Sequence, residues 1–215
     1  RQRVNRQGRK EGKGMPGGWQ YATVCSSNMN RSMEAHYQML KMGLDVRSFG
    51  TGTNVRLPGP SQDKPNVYEF GTPYSYILQD LSKKNLHLYT QTGLIKMLER
   101  NDSEIFHNSG KLCPERWYDM DAKLKLDVVL TYEARVFDAV LQDLQGNDKN
   151  TFSGVHVINI ETKDNHDEAV VSGKITCELC RKLEGLTDIE NDIVAALDDF
   201  QEQTKRPLVY TLVYT

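Results

Sequence analysis

Cys25 and Arg31 stand six positions apart, separated by Ser26-Ser27-Asn28-Met29-Asn30 and followed at once by Ser32. Five intervening residues suffice to curl the backbone around a tetrahedral anion, with successive N–H groups pointing inward as a nest and the guanidinium closing the far side as a planar fork. The segment lies between a short apolar stretch and a helix-compatible one. A phosphate bound there would meet a helix N-terminus, whose unpaired N–H groups and dipole already favour negative charge. The same surroundings stabilise a thiolate over a thiol, and the Ser32 hydroxyl can donate one more hydrogen bond to the sulfur. The chemistry implied is attack of Cys25 on phosphorus, with Arg31 holding the phosphate oxygens and water hydrolysing the cysteinyl phosphate. Spacing alone is weak support, because 27 of the 215 residues are Lys or Arg, so about one position in eight is basic. The placement after the first strand of a βαβ pattern, where ligands gather at the carboxyl ends of strands, carries more. The bland alternative is a buried strand cysteine beside a surface arginine. Asn28, tolerant of left-handed backbone, is suited to shaping the loop.

A leaving alkoxide needs protonation, for which a positioned carboxylic acid typically supplies about 100- to 10,000-fold. Glu161 and Asp164 lie between a buried strand ending at Ile160 and a helix, with Asp167 in the first turn of that helix, at the same sheet edge as Cys25. The residues alone leave these three open, and Asp164 also reads as an ordinary helix cap. Cys177-Glu178-Leu179-Cys180 could be half a zinc site or a redox pair. It falls mid-helix with no second pair, so core packing is the expected role and neither metal nor cofactor is called for. Gly50-Thr51-Gly52 lacks the rest of any nucleotide fingerprint and reads as a turn.

Positioning these groups requires an α/β framework. Gln20–Val24 reads as a strand and Ser32–Met42 as a helix stopped by Gly43. Leu44–Phe49 completes the βαβ unit of a mostly parallel sheet with a right-handed crossover. Pro58, Pro60 and Pro65 punctuate an extended stretch, after which Thr72-Pro73 supplies a cap and first-turn proline for a helix to about Ser82. A short helix over Thr92–Arg100 and a polar loop over 101–111 complete an insertion of residues 55–112, rich in aromatics and placed to cover the site. Strands at Leu126–Leu130 and Val155–Ile160 enclose a helix over Glu133–Leu144. Helices follow over His166–Glu184 and Asp188–Thr204, and Leu208–Tyr214 forms a final edge strand.

Composition sets outer limits. The 27 basic and 29 acidic residues nearly cancel, so no overall field draws the chain to nucleic acid or anionic lipid. No apolar run approaches the roughly 20 residues of a membrane span, which points to a soluble protein without direct membrane or nucleic-acid binding. Four irregularly spaced cysteines suit a reducing, intracellular compartment. Residues 1–18 form a basic tail expected to be disordered, and residues 19–215 a single domain.

The run Cys25-Ser26-Ser27-Asn28-Met29-Asn30-Arg31-Ser32-Met33-Glu34-Ala35 resembles the signature of the eukaryotic RNA polymerase II C-terminal-domain phosphatases that share the low-molecular-weight tyrosine phosphatase fold. Val46-Arg47-Ser48-Phe49-Gly50-Thr51-Gly52, Leu57-Pro58-Gly59-Pro60, Asp63-Lys64-Pro65-Asn66-Val67-Tyr68, Leu88-Tyr89-Thr90-Gln91, Pro114-Glu115-Arg116 and Asp164-Asn165-His166 extend the resemblance from about Met15 onward. The chain departs from ordinary low-molecular-weight tyrosine phosphatases, whose acid sits in an Asp-Pro dipeptide that is missing here. The resemblance implies Cys25 as nucleophile, Arg31 as phosphate ligand and Asp164 as general acid, with residues 26–32 forming the phosphate loop. It implies proline-facing contacts from Met29, Pro58, Tyr89, Leu94 and Met97, and a phosphoserine-proline substrate in the polymerase heptad repeats. It further implies symplekin and the cleavage and polyadenylation complex as partners, in the nucleus. Two other readings remain. One is a non-catalytic phosphopeptide-binding scaffold of the 3′-end machinery. The other is an arsenate reductase on the same fold, in which Cys177 and Cys180 would have to resolve Cys25, although Asn30 stands where many relatives of the tyrosine phosphatase type carry a second loop cysteine.

Overall fold

Strand β1 (Gln20–Cys25) is rich in residues suited to a pleated surface and its last five residues are buried, as befits an inner strand of a parallel sheet. The computed structural model describes residues 18–121, 123–146 and 153–215. The expected basic tail lies, but for Gly18, outside the described residues. Helix α1 (Arg31–Lys41) returns the chain to β2 (Asp45–Gly50), which pairs parallel to β1 with Tyr21 opposite Val46 and Cys25 opposite Gly50. On the other side β1 pairs parallel with β5 (Val128–Thr131), and β5 with β6 (Gly154–Ile160). Strand β7 (Leu208–Tyr214) adds antiparallel to β6 and ends the sheet, whose order is β2-β1-β5-β6-β7. This is the expected parallel sheet with a C-terminal edge strand.

Side-chain alternation splits the core into two layers. Tyr21, Val128, Leu130 and Ile158 face α1 together with α6 (His166–Glu184) and α7 (Ile189–Thr204). Ala22, Val24, Val129 and Val157 face α5 (Ala134–Gly146) and Trp117.

The insertion differs in detail from the sequence reading. A two-stranded hairpin, β3 (Val55–Leu57) with β4 (Asn66–Tyr68), brackets the prolines. A Cβ on Gly59 would sit 1.6 Å from the Lys64 carbonyl, so only glycine permits that close return. Thr72 does not cap the next helix: its hydroxyl donates to the Glu69 carbonyl at 2.8 Å and Pro73 takes the cap position. Helix α2 (Tyr74–Gln91) runs past Ser82, with a non-helical break at Asn85. Helix α3 (Leu94–Asn101) starts after Gly93, whose φ of +76° provides the turn. The segment 101–111, expected as a polar loop, holds α4 (Glu104–Ser109). Its one fully buried residue, Phe106, packs edge-on against the ring of His36 at 5.1 Å and is enough to pin a short polar helix. These helices and the hairpin share a third core with Met29 and Met33, directly behind the loop that follows β1.

Candidate active site

Three parallel strands deliver the site groups at their carboxyl ends: β1 ends at Cys25, β5 runs into Tyr132 and Glu133, and β6 into the segment up to Asp164. The loop between β1 and α1 is shaped by Asn28, which sits at φ +53°. Its side chain is used at both ends, Nδ2 donating to Ser32 Oγ at 3.1 Å and Oδ1 accepting from the Glu115 backbone N–H at 3.0 Å. Ser32 Oγ lies 3.1 Å from Cys25 Sγ. With Asn28 donating to that oxygen, the serine proton is free to point at the sulfur. Among the described residues, no acceptor meets the backbone N–H groups of Ser27 through Ser32. Donors left free in this way are able to take up an anion, which is the role the sequence leads one to expect of this loop.

Arg31 is buried and tightly framed. Its Nη1 donates to the Thr162 carbonyl at 3.1 Å, to the Tyr132 carbonyl at 3.4 Å and to Glu133 Oε2 at 3.3 Å, while Nη2 lies 3.5 Å from Asp164 Oδ2. Nε is buried without a partner. Burial disfavours the charge, but the Cys25 sulfur and the carboxylates of Asp164 and Glu133 outweigh it and hold the guanidinium above its usual range. Its Nε and Nη2 edge therefore remains as a fork for two oxygens of an anion.

The three candidate acids separate clearly. Glu161 Oε2 accepts from the Ala134 backbone N–H at 3.1 Å and from Asn159 Nδ2 at 3.1 Å, which commits it to the start of α5. Asp167 lies in the first turn of α6 and does not line the cleft. Asp164 does line it, with Oδ1 accepting from Asn30 Nδ2 at 3.0 Å. It is not the cap of α6 either, since Asn165 fills that role by accepting from the Glu168 N–H.

A cleft of about 230 Å³ brings Cys25, Ser27, Met29, Asn30 and Asp164 together with Pro58, Leu94 and Met97. The lining thus combines polar and apolar side chains. Ser26, Asn28, Arg31 and Ser32 do not line it: the last three are buried and Ser26 is half-buried. Tyr89 does not line the cleft: it is buried, and its hydroxyl accepts at 2.9 Å from Asn66 Nδ2, which also donates to the Pro58 carbonyl. It is linked to the lining through Asn66 to Pro58 and through its carbonyl, which accepts from the Thr92 hydroxyl at 3.3 Å. Arg56, Thr92 and His166 also line the cleft without having been singled out from sequence, and neither were Glu133 and the carbonyls of Tyr132 and Thr162. The Leu57-Pro58 and Asp164-Asn165-His166 runs were the available signals for Arg56 and His166. The partners of Arg31 carry no local signal.

Cys177 and Cys180 are buried on α6, and burial pushes the Cys177 thiol up to about 11. A resolving role requires an accessible thiolate, which these positions oppose. Among the described residues no cluster of His, Cys, Asp and Glu is arranged to hold a metal ion, and no helix is long and apolar enough to cross a membrane.

A family model described as Ssu72-like protein matches residues 19–215. The zebrafish (Danio rerio) RNA polymerase II C-terminal domain phosphatase SSU72 is 45% identical over 193 residues, covering 90% of this chain and 95% of that protein. Its namesake from Schizosaccharomyces pombe is 43% identical over 195 residues, with the same coverage. A Drosophila melanogaster structure, described as Ssu72 with symplekin bound to a cis peptidomimetic of a C-terminal-domain phosphoserine peptide, superposes with a TM-score of 0.84 at 38% identity, covering 93% of this chain and all of that one.

Proposed function

The chain belongs to the Ssu72-like protein family, and from that premise we propose that it is a phosphatase of the RNA polymerase II C-terminal domain, releasing phosphate from serine followed by proline. The observation that carries this reading is one cleft lined both by Cys25, Asn30 and Asp164 and by the apolar Met29, Pro58, Leu94 and Met97. The polar side chains suit a phosphate monoester and the apolar ones a proline ring.

The phosphate settles on the free N–H groups of the loop and on the Nε and Nη2 edge of Arg31, displacing Asp164 from the guanidinium. Cys25 Sγ, hydrogen-bonded by Ser32, attacks phosphorus in line with the serine oxygen. As the P–O bond breaks, Asp164 gives its proton to that oxygen and the alcohol leaves. Asp164 then takes a proton from water as the water oxygen attacks phosphorus, the P–S bond breaks, and inorganic phosphate and the Cys25 thiolate are released. Glu133 and the Tyr132 and Thr162 carbonyls hold Arg31 throughout, so that no side-chain ordering is needed during the reaction.

By the same family argument, symplekin is the partner, and a substrate that is part of RNA polymerase II implies work in the nucleus, where that polymerase transcribes. The test is phosphate release from phosphoserine-proline heptad peptides by wild type and Cys25→Ser. Turnover by wild type that disappears in the variant supports the proposal. Undiminished turnover in Cys25→Ser refutes the nucleophile, and a wild type that binds the peptide without releasing phosphate favours the scaffold reading.

A further inference from the structure

The loop is held from its outer side by residues of the insertion. The Met29 carbonyl accepts from Asn101 Nδ2 at 2.8 Å and from Arg100 Nη2 at 3.1 Å, and the Asn28 carbonyl accepts from the Tyr74 hydroxyl at 3.0 Å. Asn101 and Tyr74 are fully buried. Arg100 is itself locked: Nε and Nη2 donate to Asn101 Oδ1 at 3.1 and 2.8 Å, and Nη1 pairs with Glu34 of α1. Glu34 is in turn held by Gln38 Nε2 at 2.8 Å.

A trans peptide unit is planar, with its C=O and the following N–H on opposite sides. Drawing the Asn28 and Met29 carbonyls toward α2 and α3 therefore turns the N–H groups of Met29 and Asn30 the other way. These are two of the donors that meet no acceptor among the described residues. Burial holds Arg100 below its usual range, with Glu34 only partly restoring it. Placing a desolvated guanidinium behind a loop is costly, and an apolar contact would tie α3 to α1 as well. A guanidinium and an amide converging on one carbonyl do what an apolar contact does not: they fix the orientation of a peptide plane.

We propose that Tyr74, Arg100 and Asn101 are positioning residues for the phosphate loop, aiming the Met29 and Asn30 amides at the phosphoryl group by holding the two preceding carbonyls outward. The assignment rests on the phosphatase reading above. It predicts that these residues matter most where negative charge on the equatorial oxygens is best matched, in the transition state.

The test uses the full chain carrying Asn101→Leu, Arg100→Lys or Tyr74→Phe, with p-nitrophenyl phosphate as substrate and orthovanadate as mimic of the five-coordinate transition state. Removing an aligned donor costs about 100- to 1,000-fold in comparable sites, and misaligning one is expected to cost about 10- to 100-fold. Expected are a fall in kcat of that size and a matching rise in the vanadate inhibition constant, with KM moving several-fold less. Urea unfolding of each variant separates this from lost stability. If Asn101→Leu does not fold, Tyr74→Phe, which keeps the ring and loses only the hydroxyl, decides. Folded variants with wild-type kcat and vanadate affinity overturn the assignment, as does activity lost only in proportion to the unfolded fraction. Wild type that turns over neither p-nitrophenyl phosphate nor a phosphoserine-proline peptide instead overturns the phosphatase reading on which the assignment depends.

Discussion

Replacing Asp164 with asparagine separates proton donation from phosphate binding, because the carboxylate takes part in both with opposite sign. As general acid it is needed in proportion to how poor the leaving group is, so phosphoserine turnover should fall by about 100- to 10,000-fold. p-Nitrophenolate leaves without help and should lose less than about 10-fold. Binding moves the other way. Asp164 Oδ2 lies 3.5 Å from Arg31 Nη2 and must be displaced by the phosphate, and its side chain is 60% exposed, which places the pair near the aqueous end of the dielectric range. Coulomb's law at that distance in water gives about 1 kcal/mol, which converts to roughly 5-fold tighter binding of vanadate or phosphate once the competing charge is gone. Asparagine can still accept from Asn30 Nδ2, so the loop keeps its shape. The assay is steady-state phosphate release from a phosphoserine-proline peptide and from p-nitrophenyl phosphate, with vanadate inhibition in parallel. Equal losses on both substrates, or weaker vanadate binding, would refute the assignment of Asp164 as the acid.

Other perturbations test the frame around the site. At Asn28, with φ +53°, alanine incurs a left-handed penalty of about 1–2 kcal/mol that glycine does not, while both lose the bonds to Ser32 and Glu115. Asn28→Ala should therefore unfold at lower urea than Asn28→Gly by about 1 kcal/mol, and the reverse order would remove the backbone argument. His36 is buried with Nδ1 2.8 Å from Ser48 Oγ, and burial, aided by Lys111 and Arg47, lowers its pKa from 6.5 to about 3. The folded state thus holds it neutral. Its contribution is complete above pH 6.5 and is lost as pH falls toward 3, amounting to a loss of about 2 kcal/mol at pH 5. Urea midpoints at pH 7.5 and 5 should diverge less in His36→Gln than in wild type, and an unchanged divergence would count against it.

The groups legible in the sequence are those whose placement depends on near neighbours. Cys25, Arg31 and Ser32 belong to one strand-loop-helix unit, and the loop after β6 had to end at the same sheet edge, which brought Asp164 within a short list. Among Glu161, Asp164 and Asp167 only the resemblance singled out Asp164, because the partners that distinguish them carry no chemical signal in the local sequence: the Ala134 N–H, 27 residues back, engages Glu161, and Asn165 takes the cap that Asp164 could have filled. The frame around Arg31 was invisible for the same reason, since Glu133 and the Thr162 carbonyl lie 102 and 131 residues away along the chain. In the insertion, tertiary contact overrode local pattern. The single side chain of Phe106 holds α4 in a run that otherwise reads as loop, and the three-residue strands of the hairpin are too short to show alternation. Tyr89, given a substrate contact by resemblance, is buried and joined to Pro58 through Asn66, a long-range link that the local sequence does not show.

Helix α3 offers Leu94 and Met97 to the cleft from its first half and Arg100 and Asn101 to the loop from its last turn. A rigid rod of eight residues cannot shift one end without the other. The insertion is therefore poorly separable as a cassette: grafting a different one onto this sheet to change sequence preference would also remove the props of the reacting loop. Engineered changes of preference are better sought in the hairpin, around Arg56 and Pro58, than in α3. Drift in α3 is correspondingly penalised twice, once in recognition and once in rate.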